Sequence, residues 1–194
     1  MNSLKACFSV LALCAVLAGP ARADVCVWRD PDRAMARIFP AAADYATVDV
    51  KIPPDALARI ESRLGAALDP GERGNWIYYA VTGRKGELLG HVLTDAESGE
   101  YGAIELVLGV GVDGKIAAIY VQRARERDKT FKSKAFLAQF IGRTVKDPLK
   151  IGKDIKAAGV VATERVAFGV RKMLVMYDEV KTRPPQGGKE ESKP

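Results

Sequence analysis

Two small-residue segments carry most of the chemistry this chain can offer. Ala157 to Thr163 reads AAGVVAT and runs straight into an amphipathic helix. A Gly/Ala turn that feeds a helix N-terminus lets a ligand approach the backbone closely. It also aims unsatisfied N–H groups at that ligand, which favours a phosphate. Thr163 either caps the helix, with Glu164 in its first turn, or places its hydroxyl on the phosphate. The second segment, Glu97 to Gly102, reads ESGEYG. Gly99 and Gly102 permit a tight turn, and Tyr101 offers an aromatic face and a hydroxyl; an ordinary hairpin loop explains the same residues. His91 is the chain's one histidine, and no cysteine or carboxylate cluster gives it metal-ligand spacing. A nucleophilic triad has no parts beyond scattered Ser and Thr, and no Walker-type loop or GxGxxG opens a helix. Hydrolase and nucleotidase chemistry are poorly served, which leaves any redox chemistry to an organic cofactor.

The N-terminus predicts a compartment. Lys5, the apolar run Ala6 to Leu17 and the A-x-A signal at Ala21 to Ala23 read as a secretory signal over 1–23, with a mature chain from Asp24. The apolar run is shorter than the roughly 20 residues of a membrane span. A periplasmic or otherwise exported protein is expected. Cys7 and Cys14 leave with the signal, so Cys26 is a bystander or a link to another chain, not half of an internal disulfide. The whole chain carries 30 basic and 24 acidic residues, a formal net charge of +6. The densest basic run, Arg123 to Lys134, lacks the interleaved aromatics that nucleic acid would want. It reads as a solvated loop, or as a patch for an acidic partner or an anionic cofactor.

These segments need elements to position them. Asp32 to Phe39 predicts a short helix ended by Pro40, and Tyr45 to Ile52 alternates as a short strand or an extended lead-in. Pro53-Pro54-Asp55 opens a second helix that Gly65 closes. Asn75 to Thr82, Glu87 to Thr94, Ile104 to Val112 and Lys115 to Val121 predict four strands, with a polar loop at Asp95 to Gly102 and a tight turn at Asp113-Gly114. Ser133 to Ile141 and Thr163 to about Val180 predict helices, the last with Val166, Val170, Met173, Leu174 and Tyr177 on its core stripe. The expected class is α+β: a four-stranded antiparallel meander with helices packed on one face. The expected division is a signal at 1–23, a helical lead-in at 24–74, one domain at 75–182 and a disordered tail at 183–194.

FxxQFxG at Phe136 to Gly142, DPLxxGxDI at Asp147 to Ile155, the Val-Asp-Gly hairpin and the small turn before GVRKML occur in family-like order and spacing. From roughly Trp76 to Leu174 the chain resembles the FMN-binding domain found in flavin subunits of membrane-associated redox pumps and in related exported flavoproteins. The lead-in from Phe39 to Gly74 is similar to a subgroup of that family. The resemblance implies an exported electron carrier that binds FMN, with a membrane redox complex or an exported electron carrier as partner. It places the flavin between the Gly99, Tyr101, Gly102 loop and the turn of Gly159, Val160, Val161, Ala162 and Thr163. In the family this turn reads approximately [Ser/Thr]-Gly-Ala-Thr, and the threonine often takes the FMN phosphate as an ester. Here an ungapped alignment from Asp154-Ile155 puts Ala162 at the acceptor position. One inserted residue keeps Ala162-Thr163 as Ala-Thr and sets Val160-Val161 against Ser-Gly. A covalent link therefore rests on Thr163; non-covalent FMN rests on backbone N–H groups, Thr163 and nearby Lys or Arg. Two other readings compete: a flavin-free domain of this type that acts as a binding or assembly module, and a binder of another small anion through Arg123 to Lys134.

Overall fold

The computed structural model of the protein describes residues 31–181. The expected signal at 1–23, Cys26 and the expected tail at 183–194 lie outside the described residues.

Five strands form one antiparallel sheet in chain order: β1 (Ala42–Lys51), β2 (Asn75–Gly83), β3 (Leu88–Ser98), β4 (Ala103–Gly111) and β5 (Ile116–Arg123). The expected meander of four strands is thus corrected to five. The added strand is β1, which pairs with β2 from Asp44↔Thr82 to Lys51↔Asn75. Its alternation fits a strand and a lead-in equally well, because the partner that decides between them lies beyond an intervening helix. β3 also runs four residues past Thr94, through the polar stretch expected to be a loop. Asp95 and Glu97 are tolerated there because their side chains turn inward onto a lysine.

The helices are α1 (Pro31–Ile38), α2 (Pro54–Leu64), α3 (Lys134–Ala138) and α4 (Val161–Val180). Proline starts α2, and Gly65 ends it at φ 68°, donating its N–H to the Glu61 carbonyl. The α4 stripe of Val166, Val170, Met173 and Leu174 packs with Ile60 of α2 on Leu93, Leu106 and Leu108 of the sheet. Full burial of each such aliphatic side chain is worth about 1.5–3 kcal/mol relative to exposure. The opposite sheet face is not bare. Met35, Ile38 and Phe39 cover Val81, Val92 and Val107, so the expectation of helices on one face alone is also corrected. Successive strand residues point to opposite faces, and both parities here are apolar near the sheet centre. Gly109 lets α1 close down, since a Cβ there would stand 2.2 Å from Ile38 Cγ2. Among the described residues no helix is long and apolar enough to cross a membrane.

Candidate functional site

The AAGVVAT turn is held from outside by the two sequence motifs that precede it. Gln139 of FxxQFxG clamps the backbone of Lys156. Its amide donates to the Lys156 carbonyl at 3.1 Å, and its oxygen accepts the Lys156 N–H at 2.7 Å. Phe136 and Phe140 anchor that clamp in the core, ring against ring at 5.3 Å and edge-to-face. α3 itself is shorter than the expected Ser133 to Ile141 helix, because from Gln139 the backbone bonds tighten to three-residue spacing, Gln139 N–H to the Phe136 carbonyl and Phe140 N–H to the Leu137 carbonyl, and the chain turns at Gly142, φ 77°. In DPLxxGxDI the carboxylate of Asp147 accepts the Thr144 N–H at 2.8 Å and its hydroxyl at 3.0 Å. The Thr144 backbone bond, with help from Arg143, holds that carboxyl below the ordinary aspartate range. Arg171 of α4 donates to the carbonyls of Asp147 and Arg63, tying the loop to α2 and α4 together. These motifs therefore build the platform from which α4 starts.

The turn presents little side chain. Gly159 and Val161 are exposed, Val160 is half-buried, and Ala162 and Thr163 are buried. α4 begins at Val161, two residues before the expected start, and no side chain caps it from Val160. The first-turn N–H groups of a helix have no partner within it, so this 20-residue helix directs its positive end at the turn. Thr163 does not face outward. Its hydroxyl is fully buried, donates to the Ala158 carbonyl at 2.6 Å and accepts the Val160 N–H at 3.2 Å. It staples the turn from inside.

The ESGEYG loop is organised by a residue the sequence reading did not single out. Glu126 is buried, and its Oε1 accepts the Tyr101 N–H at 2.9 Å. A Cβ on Gly99 would meet that same oxygen at 2.3 Å, so glycine is required for the carboxylate to enter. Lys129 closes the arrangement by donating to the Glu126 carbonyl. Tyr101 lies against the Arg127 guanidinium, 4.7 Å from ring centroid to Cζ. Glu126→Ala is expected to cost about 1–3 kcal/mol through the orphaned Tyr101 N–H. Glu126→Gln retains an acceptor and should lose less. Urea unfolding together with amide exchange at Tyr101 checks both.

The two segments lie at the same end of the molecule. β3 runs antiparallel to α4, and their contacts advance in step. His91 Nδ1 is 2.7 Å from the Tyr177 hydroxyl, Asp95 meets Lys172, and Glu97 reaches towards Arg165 at 4.0 Å. One further step takes β3 into Gly99 to Gly102 and takes α4 back to Val161 and the turn. Gly102, however, also opens onto the other sheet face. It lines a concavity of about 240 Å³ with Ala103, Glu105, Arg123 and Arg125, on the side of β4 that points away from α4. The loop thus borders this concavity as well as the α4 end of the sheet.

His91 lies at the far end of α4 from the turn, within an aromatic group of Tyr78 and Tyr177. Burial, helped by the Lys181 charge, lowers its pKa below the usual histidine value. Burial likewise pushes the Tyr177 phenol up to about 12, so it stays neutral. Among the described residues no group of three or more His, Cys, Asp and Glu side chains is arranged to hold a metal ion.

A second feature missed at the sequence level is a buried charge cluster between α4 and β3. Lys172 Nζ contacts Asp95 at 3.1 Å, Glu97 at 2.7 Å and Glu72 of the Pro70–Glu72 turn. The lysine side chain is 4 % exposed and that of Glu97 5 %, so these charges are removed from water. Gly169 makes the approach possible, since a Cβ there would stand 2.8 Å from Glu97 Cγ and 3.1 Å from Asp95 Oδ2. The sequence signal was present: a lysine inside the apolar stretch of the last helix, and two acids two apart on one strand face.

No family model matches the chain, and no curated protein matches it. Among solved structures, the crystal structure of Shewanella oneidensis NqrC is similar at a TM-score of 0.45 and 15% sequence identity, covering 73% of this chain and 80% of that chain. A likeness at this level carries no argument about function.

Proposed function

We propose that the protein is an exported FMN-binding electron carrier, and that it holds the flavin non-covalently. The observation that carries the reading is the uncapped start of α4, set on a small-residue turn and clamped by Gln139. The residues present fit an anionic, aromatic ligand. First-turn N–H groups of α4 and the cation of Lys156 suit a phosphate, and Val161 and Tyr101 offer exposed apolar and aromatic surface at the same end. FMN would supply the one- and two-electron chemistry that the side chains lack. The chain's own part is to bind the phosphate, to orient the ring against the Tyr101 loop and to limit water there. Thr163 contributes as a structural staple, because its hydroxyl is already committed to Ala158 and Val160. The partner is a membrane redox complex or an exported electron carrier, reached after cleavage of residues 1–23 near Ala23.

The same burial of Thr163 favours a second reading, a flavin-free domain that serves as a binding or assembly module. Fluorescence titration separates the two. Saturable quenching by micromolar FMN, with riboflavin binding more weakly for want of the phosphate, supports the first reading. Absence of quenching by either flavin supports the second.

A further inference from the structure

Three carboxylates meet one lysine in the seam between α4 and β3. The charged groups that face Asp95 are Glu97 on its own strand, Glu72 on the Pro70–Glu72 turn, and Lys172 on α4. Arg165, also on α4, lies 4.0 Å from Glu97 and is about half exposed. With every group ionised, three negative charges face two positive ones, and one carboxylate is left unbalanced. A buried charge without a partner is expensive enough that the group normally neutralises instead. Hydrogen bonding points to the same imbalance. Asp95 Oδ2 and Glu97 Oε1 are buried oxygens without a hydrogen-bond partner among the described residues. Glu97 Oε1 does have its ionic contact with Lys172, so Asp95 Oδ2 is the stronger orphan.

We propose that this cluster is a proton-binding site, which takes one proton from water onto Asp95 at neutral pH and so brings the seam to zero net charge. The new O–H bond removes the charge from a carboxylate whose Oδ2 no donor reaches among the described residues. Lys172 keeps its own proton: burial opposes its charge, but Asp95, Glu97 and Glu72 outweigh that and hold it above the usual lysine value. Burial is also the main force that raises the Asp95 carboxyl from 3.8 to about 8, with Lys172 opposing and Glu97 and Glu72 adding to it. Between those two values the folded chain holds the proton and the unfolded chain does not. Stability therefore falls as pH rises through that window and levels off above it. The inference is independent of whether flavin binds.

The test is the infrared band of a protonated carboxyl group in the full-length protein, compared with Asp95→Asn. The expected result is a band at neutral pH that is absent from the variant and disappears on titration around pH 8. In parallel, the melting temperature of the parent protein should fall more steeply than that of Asp95→Asn between about pH 6 and about pH 9. If the variant fails to fold, the parent's own titration decides the matter. Absence of any protonated-carboxyl band at neutral pH, or parallel melting curves for parent and variant, would overturn the proposal.

Discussion

Lys172→Met destabilises the fold by roughly 3–5 kcal/mol, the range seen when one partner of a buried ion pair is removed. Methionine matches the lysine stem in length, so the loss is that of the ammonium and not of packing. Asp95, Glu97 and Glu72 would remain in a seam where the lysine was their shared partner. The effect should grow as pH rises, because each additional ionised carboxylate is then uncompensated. Asp95→Asn combined with Lys172→Met should recover part of the loss, and the double-mutant cycle should report a coupling well above the scatter of additive sites. Urea unfolding at about pH 6 and about pH 9 measures both quantities. A loss of under about 1 kcal/mol at both values would place the cluster among weak surface pairs.

The second large effect falls on the turn. Thr163→Val keeps the shape of the side chain and deletes the hydroxyl that bridges Ala158 and Val160. Removing a buried bridging group should cost about 1–3 kcal/mol, and amide exchange should rise selectively at the start of α4. Thr163→Ser restores the hydroxyl and should recover most of the loss. If Thr163 instead carried a flavin ester, peptide mass spectrometry of the native protein would find the increment on the Thr163 peptide. The geometry predicts an unmodified peptide.

Much of the sheet was legible in the sequence. The hairpin at Asp113-Gly114 closes as its residues predict, with Gly114 at φ 77° and Gly111 donating to the Lys115 carbonyl at 2.9 Å. α2 follows its Pro and Gly signals, and α4 buries the stripe its periodicity marks. What escaped were features set by long-range pairing. β1 becomes a strand because β2 supplies its hydrogen bonds, and local alternation cannot state that. β3 continues through Asp95 and Glu97 because Lys172, distant in sequence, neutralises them; composition alone marks the same residues as loop. Glu126 sits in a run whose composition marks a solvated basic loop, although it is the buried carboxylate that holds the Tyr101 loop. Thr163 shows the limit most sharply. Its position before an amphipathic helix allows a cap, a phosphate ligand or an ester, and only the direction of its hydroxyl separates them.

An inward Thr163 hydroxyl goes with the proposal that FMN is held without a covalent bond at the start of α4. The measurement that tests it most directly is the visible spectrum of the protein purified from its native host, followed by acid precipitation. Flavin absorption is expected in the native protein, with all of that colour in the supernatant after precipitation. A colourless protein that also fails to take up added FMN would contradict flavin binding, and colour retained in the pellet would contradict the non-covalent link.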